Sequence, residues 1–241
     1  MTFRPMLWPT LFALPALAIL IVLGNWQMDR LAWKEGLLAQ IEQGMSADPA
    51  PLPTLDSWKG LEEEVLRYTT ARVTGTFDHQ KEAHIYIASI DGQPGYHVVT
   101  PLELASGGWV LVDRGFVPIN RKAPENRPAG QVTGEVTVEG VLVTPDEANS
   151  FTPEPDLVEN IWYHRPVARL AARAAIDPVF PLLLDAGGAP NAGGLPVGGQ
   201  TRLELNNPHL GYAMTWYGLA VTLAGVWLAF HISRRRIGFG A

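Results

Sequence analysis

The chain is 241 residues long, 47% hydrophobic and free of cysteine, and it carries a formal net charge of −6. Without cysteine there is no disulfide framework, no thiolate metal or iron–sulfur site and no C-x-x-C-H haem attachment, so a metal or haem must be held by His, Met, Tyr or carboxylate. The acidic excess argues against nucleic acid as a partner, because a phosphate backbone needs a basic face.

Two uncharged apolar runs, Pro5 to Met28 and Leu210 to Phe230, bracket a polar middle. At about 1.5 Å per helical residue, the 21 residues of the second run cover the roughly 30 Å hydrocarbon core of a bilayer. Backbone amides in lipid must be bonded internally, so both runs read as helices. The expected division is an amino terminus over 1–5, a membrane helix over 6–28, one extramembrane domain over 29–208, a second membrane helix over 209–231 and a basic tail over 232–241. Arg234, Arg235 and Arg236 sit beside the second helix, and cations of this kind stay on the cytoplasmic side. Both termini are therefore expected in the cytoplasm. The middle domain then lies in the periplasm of a bacterium, as a multi-pass protein of the inner membrane, or in a mitochondrial intermembrane space. A cleaved signal peptide ending at Ala16-Leu17-Ala18 fits less well, because five more apolar residues follow and the apolar stretch exceeds a usual signal core. All 24 acidic residues and 14 of the 18 Lys and Arg lie in the middle domain, which leaves it at −10.

Along the chain, apolar residues at 31, 33, 37, 38 and 41 keep near-helical period, so the first helix should continue outward to about Gly44. Pro49, Pro51 and Pro53 make a stiff extended connector, and Glu62 to Tyr68 suits a helical turn or two. Strand character follows in Arg67–Phe77, Glu82–Ile90, Gly95–Leu102, Trp109–Arg114 and Gly134–Val143, with the fourth turned at Gly115 and stopped at Pro118. Pro166 to Ile176 reads as a helix, Asp185 to Gly199 as a Gly- and Pro-rich loop, and Gln200 to Leu205 as a last strand. Several short strands plus a helix predict an α+β domain with a small antiparallel barrel or sheet at its core, flanked by the two membrane helices.

Catalytic signatures are scarce. No G-x-S-x-G elbow or H-E-x-x-H zinc motif occurs, and the glycine-rich loop lacks the Lys-Ser/Thr ending of a P-loop. His79 and His84 are five apart, which on alternating strand geometry sends them to opposite faces, so they read as exposed turn or strand residues. His97 and His164, flanked by aromatics, read as fillers of polar slots at the domain edge. His209 stands apart. Asn207 suits an N-cap and Pro208 a first helical residue, which puts His209 in the first turn of the second membrane helix. At 100° per residue it shares a face with Ala213, Trp216, Ala220, Leu223 and Trp227. Gly211, Thr215, Gly218, Thr222 and Gly225 form an opposite seam of small residues, the kind of surface against which another helix packs. With the first helix in that seam, the His–Trp face looks outward. A neutral imidazole beside aromatics at membrane depth suits an iron porphyrin, though solvated histidine and an ordinary aromatic belt of Tyr212, Trp216, Tyr217 and Trp227 explain the same residues.

Several motifs, in order, resemble the Surfeit-locus-one family of membrane-anchored assembly factors of haem-copper cytochrome c oxidase. Gly24, Trp26, Gln27, Arg30, Trp33 and Lys34 match the family's G-x-W-Q-x-x-R-x-x-W-K. Gly95–Leu102, Val110–Pro118, Asn160–Tyr163 and Pro196–Arg202 resemble its central motifs, and His209, Leu210, Tyr212, Thr215, Trp216, Tyr217 and Gly218 its H-L-x-Y-x-x-T-W-Y/F-G. Two departures stand out: Asp113 and Phe116 where Asn-Arg-Gly-Trp is common, and Pro208 directly before the histidine. The resemblance implies a non-enzymatic role in oxidase biogenesis, with haem a bound as cargo at His209, and Tyr212 and Trp216 beside it. It implies the oxidase catalytic subunit as a partner, haem a synthase as a further candidate, and the lipid bilayer as surroundings. Two other readings stay open: a scaffold for an oxidase subunit without haem, and, more remotely, an exported haem-modifying enzyme.

Overall fold

In the computed structural model, which describes residues 2–88, 92–145, 148–201 and 207–238, the chain divides into two units. One comprises residues 1–40 with 204–241, the other residues 41–203.

The first unit is a helix pair. Strand β1 (Thr2–Phe3) leads into helix α1 (Leu7–Ser46), whose 40 residues span about 60 Å. Both α1 and its partner, the 25-residue helix His209–Ser233, are long and apolar enough to cross a bilayer. Their outer surfaces expose Leu7, Leu11, Phe12 and Val22 on one helix and Leu210, Met214, Val221 and Val226 on the other, as lipid-facing helices do. At the far end, the two-residue strand Ile237–Gly238 pairs antiparallel with β1, so both chain ends lie together at one end of the pair.

The packing face is the opposite of the one the small-residue seam predicts. Gly211, Gly218 and Gly225 are exposed, with nothing within 4 Å of an added Cβ. Ala213 and Ala220 are buried instead, at 1% and 6% exposure. Side-chain polarity explains the choice. Thr215 and Thr222 hydroxyls bond back to the carbonyls of Gly211 and Gly218 at 2.9 and 2.8 Å, which leaves that face fit for lipid. Polar groups of the other face need partners that hydrocarbon cannot supply, and α1 supplies them to His209, Tyr217 and Trp227. Tyr217 Oη donates to Asn25 Oδ1 at 2.7 Å, and Trp227 Nε1 to Thr10 Oγ1 at 3.1 Å. On α1 the small residue is Gly24, where an added Cβ would meet the Tyr217 ring at 2.5 Å.

The second unit is built on a closed barrel. After the last turns of α1, where Ile41 is buried, β2 (Ala50–Pro51) runs parallel to β3 (Thr70–Phe77), with helix α2 (Glu63–Leu66) between them. Next come β4 (Ala83–Ala88), β5 (Pro94–Leu104), β6 (Trp109–Pro118), β7 (Glu135–Val143), β8 (Ile161–Trp162), α3 (Val167–Ala174) and β9 (Val179–Ala186). The neighbours run β3-β7-β9-β6-β5, and a direct β3–β5 pairing at Gly75↔Leu104 closes the ring at five strands. The second membrane-type helix is α4 (His209–Ser233) and the final strand β10 (Ile237–Gly238).

Strands β6 and β9 are buried on both faces, hence their unbroken Val-Leu-Val and Leu-Leu-Leu runs. Val110, Val112, Phe180, Leu182 and Leu184 point inward with Val73, Leu102 and Leu142, and Trp58 caps them edge-on to Phe180 at 5.3 Å. Leu111 and Leu183 point outward, under a second core made by Ile85, Trp162, Leu170 and Ala171.

Two sequence expectations are corrected, and one strand is found that the sequence does not suggest. β6 does not turn at Gly115; it continues to Pro118, and Gly115 (φ +106°) allows the backbone of Val197 to bridge to Phe116 where a Cβ would collide with the Val197 carbonyl. β9 went unforeseen because Pro181 breaks the strand pattern; its ring falls where the β6 register jumps from Trp109↔Val179 to Leu111↔Leu183, so no ladder bond is lost. Pro208, not Asn207, caps α4, and Asn207 Oδ1 makes no capping bond. The expected strand at Gln200–Leu205 lies largely outside the described residues, as do Arg202 and Asn206.

Candidate functional site

His209 opens α4 and is half-buried at the end of the helix pair. Its Nδ1–H donates to Oε1 of Gln27 on α1 at 2.6 Å, and Gln27 is itself 8% exposed. An amide oxygen only accepts, so Nδ1 carries a proton, and in the neutral imidazole Nε2 is then the nitrogen with the lone pair. Among the described residues nothing bonds to Nε2. Tyr212, one turn on, is 54% exposed. Trp216 lies a further turn along the same face, half-buried, and its Nε1 is buried with no acceptor among the described residues. A ring nitrogen with no partner among the described residues and an exposed aromatic one turn on are a donor set that fits a haem: nitrogen for the iron and a ring for the macrocycle.

His231, at the other end of α4, has the opposite character. Its Nε2 accepts from the Met6 amide at 3.0 Å, its Nδ1 donates to the Trp227 carbonyl at 2.8 Å, and it is fully buried. Both nitrogens are consumed, so it cannot be a ligand.

A different site, unforeseen from the sequence, lies on the outer wall of the barrel. Asp113 on β6 and Asp185 on β9 are register partners across parallel strands, and Arg165, just ahead of α3, bridges them at 3.1 and 2.8 Å. His97 Nδ1 pairs with Asp113 at 2.8 Å, the Gly115 amide donates to Asp113 at 3.0 Å, and Thr201 donates to Asp185 at 3.2 Å. This network floors a cleft of about 510 Å³ whose walls include Tyr68, Tyr86 and Tyr163. Burial works against a charge on Asp113, but His97, Arg165 and the Gly115 amide outweigh it and hold the carboxyl below its usual range. Asp185 goes the other way: burial, with Asp113 nearby, outweighs Arg165 and raises it to about 6.

The remaining histidines are also more buried than the sequence suggests. His84, expected at the surface, is 6% exposed and bonds to Glu82 at 3.2 Å. The same carboxylate binds Arg127, which clips the segment around residues 121–130 to β4. His79 is half-buried in a 3-10 turn and bonds to the Val132 carbonyl at 2.8 Å. His97 and His164 are 8% and 7% exposed, interior rather than at an edge. Among the described residues no three His, Cys, Asp or Glu side chains are grouped to hold a metal ion.

Of the predicted site residues, the structure brings His209, Tyr212 and Trp216 onto one stretch of α4 and adds Gln27. Gln27 stood in the quoted motif without a role, because a partner 182 positions away leaves no periodic signal. Arg165 and its aspartates gave no signal beyond the charges themselves.

Comparison with known proteins places these features in context. The model of the SURF1 family matches residues 14–221, a range that takes in most of α1, the barrel and the first half of α4. Surfeit locus protein 1 of Mus musculus is 36% identical over 230 residues, covering 89% of this chain and 73% of that protein. The protein of the same name from Homo sapiens is 35% identical over 221 residues, with 85% and 71% covered. A SURF1-like protein of Drosophila melanogaster is 34% identical over 223 residues, with 85% and 71% covered.

Proposed function

Because the chain belongs to the SURF1 family, known for cytochrome oxidase assembly factors, we propose that it is a non-enzymatic assembly factor of haem-copper cytochrome c oxidase and that His209 holds haem a on its way to the catalytic subunit. The observation that carries the haem reading is the bonding of His209: Nδ1 donates to Gln27, Nε2 has no partner among the described residues, and the ring is half-exposed beside Tyr212. Haem a is cargo here, so an axial bond that can be surrendered to the oxidase suits a single histidine at a rim better than an enclosed bis-ligated pocket. Tyr212 flanks the macrocycle from the open side, and Trp216, packed behind it toward α1, closes the helix side of the site.

The proposed placement is the bacterial inner membrane, with both termini cytoplasmic and the barrel domain periplasmic. The pairing of β1 with β10 supports a common side for the termini, and the Arg234–Arg236 run supports the cytoplasmic side. Haem a synthase is the proposed donor of the cargo.

The test is the visible spectrum of protein purified from cells that make haem a. Wild-type protein should carry haem a, and His209→Ala should lose most of that absorption while remaining folded and inserted, since a first-turn residue contributes little to helix hydrogen bonding. In the cell, His209→Ala should lower the yield of oxidase with its full haem a and leave haem b enzymes untouched. Wild-type haem a occupancy in His209→Ala would overturn the haem reading. A second reading, a scaffold that grips a folding oxidase subunit, is favoured by the barrel cleft with its charged floor; it predicts wild-type protein free of haem a.

A further inference from the structure

Resting on the haem reading of His209, we propose that Gln27 is a positioning residue for that ligand: its carboxamide oxygen fixes the imidazole tautomer, aims Nε2 away from the helix pair and tunes the bond to the iron. Three observations carry this. First, Gln27 Oε1 lies 2.6 Å from His209 Nδ1, a short N–H···O contact, and Gln27 is 8% exposed, so water competes poorly for its carboxamide. Second, the two ring nitrogens of an imidazole point in nearly opposite directions. Pinning Nδ1 to α1 therefore turns Nε2 outward, to the rim where Tyr212 is exposed, although the rest of that face is occupied by packing against α1. Third, the chain holds a built-in contrast in His231, whose Nδ1 donates to the carbonyl of its own helix while Nε2 is taken by the Met6 amide. A histidine required only to join the helices is bonded at both nitrogens. At His209 the bond to Gln27 takes one nitrogen, and among the described residues nothing takes the other.

The physical consequence follows from how ligand histidines are tuned. A hydrogen-bond acceptor on the distal N–H increases the electron density of the ring and the basicity of the ligating nitrogen, and loss of such a partner typically weakens binding about 10–100-fold. A carboxamide gives modest basicity, between no acceptor and a carboxylate. That level suits haem held for release rather than haem held for good.

The experiment uses the full-length protein in detergent with haem a as the probe, and reads affinity, midpoint potential and the iron–histidine stretching frequency. Gln27→Leu should weaken haem a binding by about 10–100-fold and lower the stretching frequency. Gln27→Glu should retain binding while the midpoint potential falls and the stretching frequency rises. Asn25→Ala, which removes the neighbouring interhelix bond to Tyr217, is the structural control and should leave the bound spectrum and potential as in wild type. If Gln27→Leu fails to insert, Gln27→Glu still decides through the potential. Wild-type potential and frequency in Gln27→Glu, with binding abolished in His209→Ala, would overturn the role of Gln27 and leave the haem reading standing. Wild-type binding in His209→Ala would overturn that reading itself, and this inference with it.

Discussion

Two histidines on one helix show how little of a residue's role lies in its type. His209 and His231 both sit at ends of α4 and both bond to α1 or the segment before it. His231 is fully buried and ties the Met6 amide to the helix pair near the β1–β10 pairing. Replacing it with leucine leaves the Met6 amide without its acceptor in surroundings that exclude water, at a cost of about 1–3 kcal/mol. His231→Leu should therefore speed hydrogen exchange at Met6 and its neighbours while leaving haem a absorption unchanged, the reverse of the pattern expected for His209→Ala. A loss of haem a absorption in His231→Leu would mean that the two ends are not independent. From the sequence, His209 is legible as a ligand candidate because it opens an apolar run, in the first turn of the second membrane helix, on a face with aromatics. Gln27 is not, since the fact that completes the ligand is a contact between helices far apart in the chain.

At the scale of elements, the helix pair shows where pattern reading misleads. A seven-residue glycine repeat on α4 is a good interface signal when packing alone drives helix association, yet Gly211, Gly218 and Gly225 face away from α1. Polar side chains decided the face, because Tyr217, Trp227 and His209 each find a partner on α1 and none is available in lipid. The consequence is a reversal of roles between glycines. Gly24→Leu pushes the Tyr217 ring aside and should cost about 1–3 kcal/mol of helix-pair stability, as overpacking does. Gly218→Leu adds a side chain to an open surface and should cost nothing measurable. Crosslinking between cysteines at positions 17 and 220 reports on both, and a loss with Gly218→Leu but not Gly24→Leu would restore the seam. In the barrel, alternation and turn residues made β3, β5, β6 and β7 legible. β9 was hidden for a physical reason: buried on both faces, it has no alternation to show, and Pro181 sits at a register jump that only its neighbours reveal.

For the molecule as a whole, the barrel domain stores an opposed pair of titrations in one network. Asp113 is held below its usual range and Asp185 is raised to about 6, although both touch the same Arg165 guanidinium. One cation cannot neutralise two buried carboxylates, so the one with His97 and the Gly115 amide keeps its charge and the other keeps a proton longer. The two affect stability with opposite signs. A lowered carboxyl such as Asp113 stabilises the fold above its ordinary range and ceases to as pH falls through its depressed value. Asp185, being raised, stabilises the fold fully below about pH 4, where unfolded aspartate also begins to protonate, and that contribution is lost as pH rises through about 6. The full-length protein should therefore lose stability between pH 4 and pH 6, on the order of 1–3 kcal/mol, or roughly 3–10 °C in the melting temperature of the barrel. Asp185→Asn keeps an acceptor for Arg165 but cannot ionise, so its melting temperature should stay level across that window. Calorimetry at pH 4, 5, 6 and 7 on both proteins decides it; the same decline in Asp185→Asn would assign the titration to another group. The same proton sets the charge of the cleft floor, which becomes more positive as pH falls from 7 to 5, so a ligand of the cleft that carries a carboxylate should bind more tightly at the lower pH in wild type and not in Asp185→Asn.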